Sequence, residues 1–337
     1  MSALAMQVHP SDQELIPARG PLEPAPEGWV RIAVAAAGVC GADLGTVSAG
    51  AGSSSPVTPG HEVAGTIAQL GPGVTGWSVG DRVAVGWFGG SCGHCDACRH
   101  GEVVHCPDRQ IPGISYPGGW AESITVPAGA LARVPDGLDL LDAAPMGCAG
   151  VTTFNAVRRA GVPAGGRVAV HGFGGLGHLA VQWAAAMGYE VTVITRGSDR
   201  REAADRLGAA HYLDSRTTPV GQTLRAAGGM HAVISIATTP EPVPELLTGL
   251  RHRGRLVLLG AAGGTFEVPL GDLVMNAQTV SGHLTGSPVD TEEAMQLALV
   301  TGVRPVTERV PLTDAAQAVQ RLRNSKVRFR TVLQPAG

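Results

Sequence analysis

The sequence predicts an α/β protein with two parts, a β-rich domain and a doubly wound parallel sheet. Three observations carry this. Residues 1–145 read as short strands separated by turn chemistry, with Gly71-Pro-Gly73 and Val79-Gly-Asp81 between them. From Arg167 to Leu284 short apolar runs alternate with helical stretches, the pattern of a parallel sheet covered on both faces. Residues 285–337 then return to mixed structure.

The individual elements follow in order. Trp29 to Ala37, Glu62 to Leu70 and Arg82 to Val85 are expected strands of the β-rich part, and Gly50 to Pro59 is a Gly/Ser/Pro loop. In the alternating part the strands are Arg167–His171, Glu190–Thr195, His231–Ala237, Arg255–Gly260 and Thr279–Leu284. Helices are expected from Asp290 to Val300 and from Thr313 to Asn324.

Composition narrows the class. A chain of 337 residues with 44% apolar residues and a mean hydropathy of +0.13 can bury the cores of about two domains. Its net charge of −3 makes no electrostatic case for nucleic acid or a membrane surface. No stretch approaches the ~18 apolar residues of a membrane-spanning helix. Gln7, His9, Asp12 and Glu14 stand where a signal peptide needs an apolar core, so a cytoplasmic location is expected. In a reducing compartment the six cysteines are metal ligands rather than disulfides.

Their spacing agrees. Cys92, Cys95, Cys98 and Cys106 form a C-x2-C-x2-C-x7-C run, which suits a closed tetrahedral zinc site that pins a lobe. His94, His100 and His105 nearby read as exposed loop residues. Cys40, His61 and Cys148 remain, with Glu62 beside His61. A catalytic zinc takes about three N/S ligands and leaves one position open. These residues supply such a set if the fold joins them; singly, Cys148 reads equally as a core thiol and His61 as a turn residue.

A second motif is Gly172-Phe-Gly174-Gly175-Leu176-Gly177, following the expected strand Arg167–His171 and opening an apolar helix. In that context the glycines allow a tight turn and close approach to a dinucleotide pyrophosphate at the helix N-terminus. The next strand ends in Thr195-Arg196-Gly-Ser198-Asp-Arg200-Arg201, where an NAD-binding chain would place a carboxylate. Hydroxyls and guanidinium groups there favour the 2′-phosphate of NADP(H). The alternative is that Arg200 and Arg201 are a solvated helix start and Asp199 serves NAD.

With Gly38-Val-Cys40-Gly, Pro59-Gly-His61-Glu62, the four cysteines, Ala144-Pro-Met-Gly-Cys148-Ala-Gly-Val-Thr-Thr153 and the glycine loop, the whole chain resembles the zinc-containing medium-chain alcohol dehydrogenases. The resemblance is particularly to their cinnamyl-alcohol-dehydrogenase-like and bacterial aldehyde-reductase branches. The resemblance implies a GroES-like catalytic domain of residues 1–147 and 285–337, with a zinc lobe at about 90–107, around a Rossmann domain of residues 148–284, the active site lying in the cleft. It also implies that Cys40, His61 and Cys148 hold catalytic zinc, that Glu62 is a supporting or exchanging ligand, and that Asp43 orients His61. By the same resemblance Trp87 and Trp120 line the substrate pocket, Arg330 reaches the cofactor, and the protein is a homodimer or homotetramer associating near Thr279–Leu284, with two zinc ions per chain. His283 in that stretch faces either the cleft or the surface.

One departure stands out. Members of the family that interconvert alcohols and carbonyls usually carry Ser or Thr two residues after the first cysteine ligand, and often His at the fifth. Here those positions are Ala42 and Gly45, and neither side chain carries a proton. General acid catalysis contributes ~10²–10⁴-fold, so three readings follow. The protein reduces aldehydes or ketones with zinc-bound water, His171, Tyr116 or Ser48 as donor; or it reduces a conjugated C=C bond or an iminium; or it is a non-catalytic nucleotide-binding protein.

Overall fold

The computed structural model describes residues 2–9, 14–50, 55–260 and 263–335. Asp12 and residues 51–54 of the expected Gly50–Pro59 loop lie outside them. The chain forms two compact units, one of residues 1–151 and 285–337 and one of residues 152–284. The resemblance placed those borders at 147/148 and 284/285.

Unit 1 contains the strands β1 (Ser2–Val8), β2 (Leu15–Pro21), β3 (Trp29–Val39), β4 (Val63–Leu70), β5 (Arg82–Val85), β6 (Ser123–Pro127), β7 (Leu131–Arg133), β14 (Thr307–Pro311) and β15 (Arg330–Gln334). β1 and β2 pair as an antiparallel hairpin. The others build a sheet in the order β14-β15-β3-β4-β5-β7, with β6 also on β3. β3 alternates buried Val30, Ile32 and Val34 with less buried neighbours, so one face packs on Ile67, Val85 and Trp120. The chain-terminal β15 pairs antiparallel with the end of β3, Thr331 opposite Val39. This pairing sets Arg330 beside the segment that leads into Cys40.

Unit 2 contains β8 (Arg167–His171), β9 (Glu190–Thr195), β10 (His211–Asp214), β11 (Met230–Ser235), β12 (Leu250–Leu258) and β13 (Thr279–Gly282). They pair in parallel in the order β10-β9-β8-β11-β12-β13. Counted along the unit this is 3-2-1-4-5-6, the doubly wound order whose ligand crevice opens between the first and fourth strands. Val168, Val170, Val193 and Ile234 are fully buried, as strands covered on both faces require.

The expected strands of both parts are present within a few residues. β12 starts earlier than expected because Arg251, His252 and Arg253 lie in a bulge against β11, with Arg253 at φ 60°. The hairpin β1–β2 and the short β7 and β10 escape the sequence reading because they are brief, polar or proline-containing. The helix Pro288–Thr301 begins at a reciprocal cap between Ser287 and Asp290. The helix Ala315–Arg323 follows a tight turn, Leu312–Asp314. No helix among the described residues is long and apolar enough to cross a membrane.

Candidate functional site

In unit 1, β3 ends at Val39 and the helix Gly41–Gly50 begins after Cys40, which fixes the thiol at a strand-to-helix corner. Asp43, in the helix's first turn, accepts the Cys40 backbone N–H through Oδ2 at 2.8 Å and faces His61 Nδ1 with Oδ1 at 2.8 Å. Asp43, His61 and Glu62 are 1%, 3% and 0% exposed. Cys148 lies in a single wide turn, Met146–Gly150, between two helical segments. That turn sits against β5, where a side chain on Gly86 would come within 1.9 Å of the Gly147 carbonyl. Two cysteine residues about a hundred positions apart thereby meet. One ligand atom from each of Cys40, His61, Glu62 and Cys148 lies within 4.8 Å of the others.

The electrostatics suit a cation. His61 Nε2 and Glu62 Oε1 are buried without a hydrogen-bond partner. Orphaned donors and acceptors of this kind are costly unless something binds them. The contact with Cys148 draws the Cys40 thiol well below its usual range against the effect of burial, and pushes Cys148 up. Burial works against a charged His61, yet Asp43 and Cys40 raise its affinity for a proton. Burial also pushes Glu62 up to about 7, opposed by Arg330, with which it forms a buried ion pair. Gly38 leaves room for that pair, since a Cβ there would meet Glu62 Oε2 at 2.0 Å.

The sulfurs of Cys92, Cys95, Cys98 and Cys106 form the second cluster, also within 4.8 Å of one another. His94, His100 and His105 are exposed, and His94 and His100 turn their Nδ1 atoms to the Cys92 and Asp96 carbonyls.

In unit 2 the loop after β8 turns at Gly172, φ 96°, and closes so tightly that a Cβ on Gly177 would lie 1.9 Å from the Gly172 carbonyl. The helix Gly177–Ala186 starts there. Beside it opens a cavity of about 540 Å³, lined by His171, Gly172, Thr195, Arg196 and Ser215 among others, at the carboxyl ends of the parallel strands. His171 and Ser235, on the first and fourth strands of the unit, meet at 3.0 Å across the switch point.

Residues 26–136 match the alcohol dehydrogenase GroES-like domain, and residues 175–299 match the zinc-binding dehydrogenase family. The chain is 39% identical over 302 residues to "Alcohol dehydrogenase notN" of Aspergillus sp. (strain MF297-2), covering 90% of this chain and 89% of that protein. The chain belongs to the zinc-containing medium-chain alcohol dehydrogenases. It superposes on a cinnamyl alcohol dehydrogenase from Sorghum bicolor with a TM-score of 0.89 at 31% identity, covering 99% and 98% of the two chains. A second solved structure, a cinnamyl alcohol dehydrogenase from Helicobacter pylori complexed with NADP(H), gives 0.87 at 26% identity, covering 99% and 98%. The protein is thus an oxidoreductase of the alcohol dehydrogenase type.

Against the family pattern, several residues stand elsewhere than expected. Trp120 is fully buried and donates its indole N–H to the Gly38 carbonyl at 3.0 Å, so it is a core residue of unit 1 and not part of an open pocket wall. Arg330, expected at the cofactor, is 3% exposed and engaged by Glu62, because β15 carries it into the interior beside β3. Arg200 donates to the Phe173 carbonyl at 2.6 Å, bracing the glycine loop instead of standing free for a phosphate. Trp87 is half-buried, its backbone N–H on the Gly147 carbonyl at 3.3 Å and Arg109 stacked 5.7 Å over its ring. Ala42 and Gly45 lie exposed on the helix Gly41–Gly50, as does Ser48.

Tyr116 is occupied, donating its hydroxyl to the Gly89 carbonyl at 2.8 Å and packing edge-on against Trp29. His283 follows β13, half-buried, its backbone N–H on the Leu258 carbonyl. Two contributors had no role that could be read from the sequence. Gly38 matters only once Glu62 is folded against it, and Asp214, which accepts the Gly197 N–H at 2.7 Å, belongs to a strand too short to read.

Proposed function

We propose that the protein is an NADPH-dependent, zinc-containing reductase of aldehydes or ketones that works without the usual side-chain proton relay. The observation that supports this most is the joining of Cys40, His61, Glu62 and Cys148 with buried, partnerless atoms on His61 and Glu62. This donor set fits zinc, with Cys92, Cys95, Cys98 and Cys106 fitting a second, closed site. Zinc held there supplies Lewis-acid polarisation of a carbonyl oxygen. Asp43 holds the imidazole of His61 by Nδ1 and so directs Nε2 to the cluster, and Arg330 balances the charge of Glu62.

In unit 2 the loop Gly172–Gly177 seats a pyrophosphate against the helix it opens, and Thr195, Arg196 and Ser198 take the 2′-phosphate. The NADP(H) bound by the Helicobacter relative supports the same cofactor. Neither Ala42 nor Gly45 can pass on the proton that an alcohol product needs, so that proton comes from solvent or from another side chain such as His171, whose Nδ1 is engaged by Ser235. The same two positions favour a second reading, reduction of a conjugated C=C bond or an iminium, whose product needs no alkoxide protonation. We place the protein in the cytoplasm as a homodimer or homotetramer acting on a small molecule.

A panel of aldehydes, enals and cyclic imines under NADPH and NADH decides among these. Carbonyl turnover with NADPH is the expected result, turnover confined to enals or imines moves the assignment to the second reading, and no turnover with any of them refutes both. Metal analysis is expected to find two zinc ions per chain. A single ion, lost only on unfolding, would refute zinc at Cys40.

A further inference from the structure

The turn after β9 is held from β10 on both sides. Gly197, at φ 84°, donates its N–H to Asp214 Oδ1 at 2.7 Å, and its carbonyl accepts the Tyr212 hydroxyl at 2.7 Å. The same Asp214 oxygen accepts the Arg216 N–H at 2.9 Å, and the Ser215 N–H donates to the Thr195 carbonyl at 3.0 Å. Because β9 and β10 run parallel with Thr195 opposite Asp214, both loops leave the sheet side by side at its carboxyl end. A single carboxylate oxygen therefore ties the loop 196–200 to the loop 215–216.

The arginines near this junction divide into two pairs. Arg200 is held by the Phe173 carbonyl, and Arg201 stacks on the Tyr212 ring at 4.7 Å and donates to the Tyr212 carbonyl at 3.4 Å. Arg196 and Arg216 are exposed, and their guanidinium groups make no hydrogen bond or ion pair among the described residues. The Arg216 guanidinium lies against the Gly197 turn, its Nη1 3.7 Å from where a Cβ on Gly197 would stand. Ser215 lines the 540 Å³ cavity together with Thr195 and Arg196, while Glu241 and Glu245 line it from the segment after β11.

We propose that Ser215 and Arg216 form a second side of the subsite for a ribose 2′-phosphate, alongside Arg196, and that Asp214 is the positioning residue that holds the two loops at a fixed separation. The proposal rests on the NADPH reading above. A guanidinium and a hydroxyl on each loop give a phosphate donors from two directions, which a single loop after β9 cannot offer. Asp214 itself carries a negative charge, held ionised by its two backbone N–H donors, and charge alone would make it repel a phosphate. Its contribution is geometric.

The test measures dissociation constants of the purified full chain for NADPH and NADH, and for the probes 2′,5′-ADP and 5′-AMP, which need only the adenosine side of the site. Arg216→Gln is expected to weaken NADPH and 2′,5′-ADP about tenfold, the loss of one charge-assisted contact, and to leave NADH and 5′-AMP within about twofold. Asp214→Ala is expected to do the same. Asp214→Asn keeps an acceptor oxygen and removes the charge, and is expected to restore 2′,5′-ADP binding to within about threefold of the wild type. Unchanged 2′,5′-ADP binding in Arg216→Gln overturns the proposal, and tighter binding in both Asp214 variants overturns the positioning role. If Asp214→Ala does not fold, the exposed Arg216 decides alone. A wild type that prefers NADH and ignores 2′,5′-ADP overturns the NADPH reading and this proposal with it, whereas a wild type that prefers NADPH with an inert Arg216→Gln overturns only the latter.

Discussion

Replacing Arg330 by Met tests the electrostatic core of unit 1. Arg330 and Glu62 are 3% and 0% exposed and form an ion pair inside the sheet. At a hydrogen-bonded separation of roughly 3 Å and an effective dielectric of about 20, their attraction is ~5 kcal/mol. Removing the guanidinium takes away the main group that opposes the upward push of burial on Glu62, so the buried side chain either stays ionised without its partner or takes up a proton, a change that typically costs about 3–5 kcal/mol. For a unit of this size that is on the order of 10 °C in melting temperature.

Neutralising the partner should reverse much of the loss. The double variant Glu62→Gln/Arg330→Met removes both charges and is expected to be about 2 kcal/mol more stable than Arg330→Met alone. Tryptophan emission during urea unfolding is a suitable readout, since Trp29, Trp77, Trp87 and Trp120 lie in unit 1 and Trp183 in unit 2. A single variant within about 1 kcal/mol of the wild type, or a double variant showing the sum of the two single losses, would refute the account.

Two further outcomes follow from the same geometry. Asp43→Ala removes the partner of His61 Nδ1 and the acceptor of the Cys40 N–H, so zinc affinity at that cluster should fall about 10–100-fold in competition with a chelator, and an unchanged affinity would remove Asp43 from its supporting role. His171 has its proton affinity lowered by burial and by Arg196, with Glu245 opposing. Its NMR titration should therefore fall below the ordinary value of about 6.5. Below that pH the unfolded chain takes up a proton that the folded chain resists, so the contribution of His171 to stability declines as pH drops from about 6.5. A titration at or above 6.5 would contradict its placement.

The parts of the site that can be read along the chain are those whose partners lie within a few residues. The run Cys92–Cys106 is legible because one loop can close four thiols around a cation, and Gly172–Gly177 because a strand, a tight turn and a helix follow without interruption. Apolar alternation revealed the parallel sheet for the same reason, since each buried strand carries its own pattern. The sequence by itself therefore determined the family's two folds, the four-cysteine run, the glycine loop after β8 and the lack of side-chain proton carriers at Ala42 and Gly45.

Tertiary structure decided the rest, because it turns distant positions into neighbours. Cys40 and Cys148 meet only because the wide turn Met146–Gly150 is pressed on β5. Arg330 reaches Glu62, 268 residues away, only because the terminal strand pairs with β3, and that contact moves the arginine from the expected cofactor role to an interior one. Trp120 likewise became a core residue once its indole found the Gly38 carbonyl. Asp214 can clamp Gly197 only after β10 has aligned in parallel with β9, a register that neither strand specifies alone.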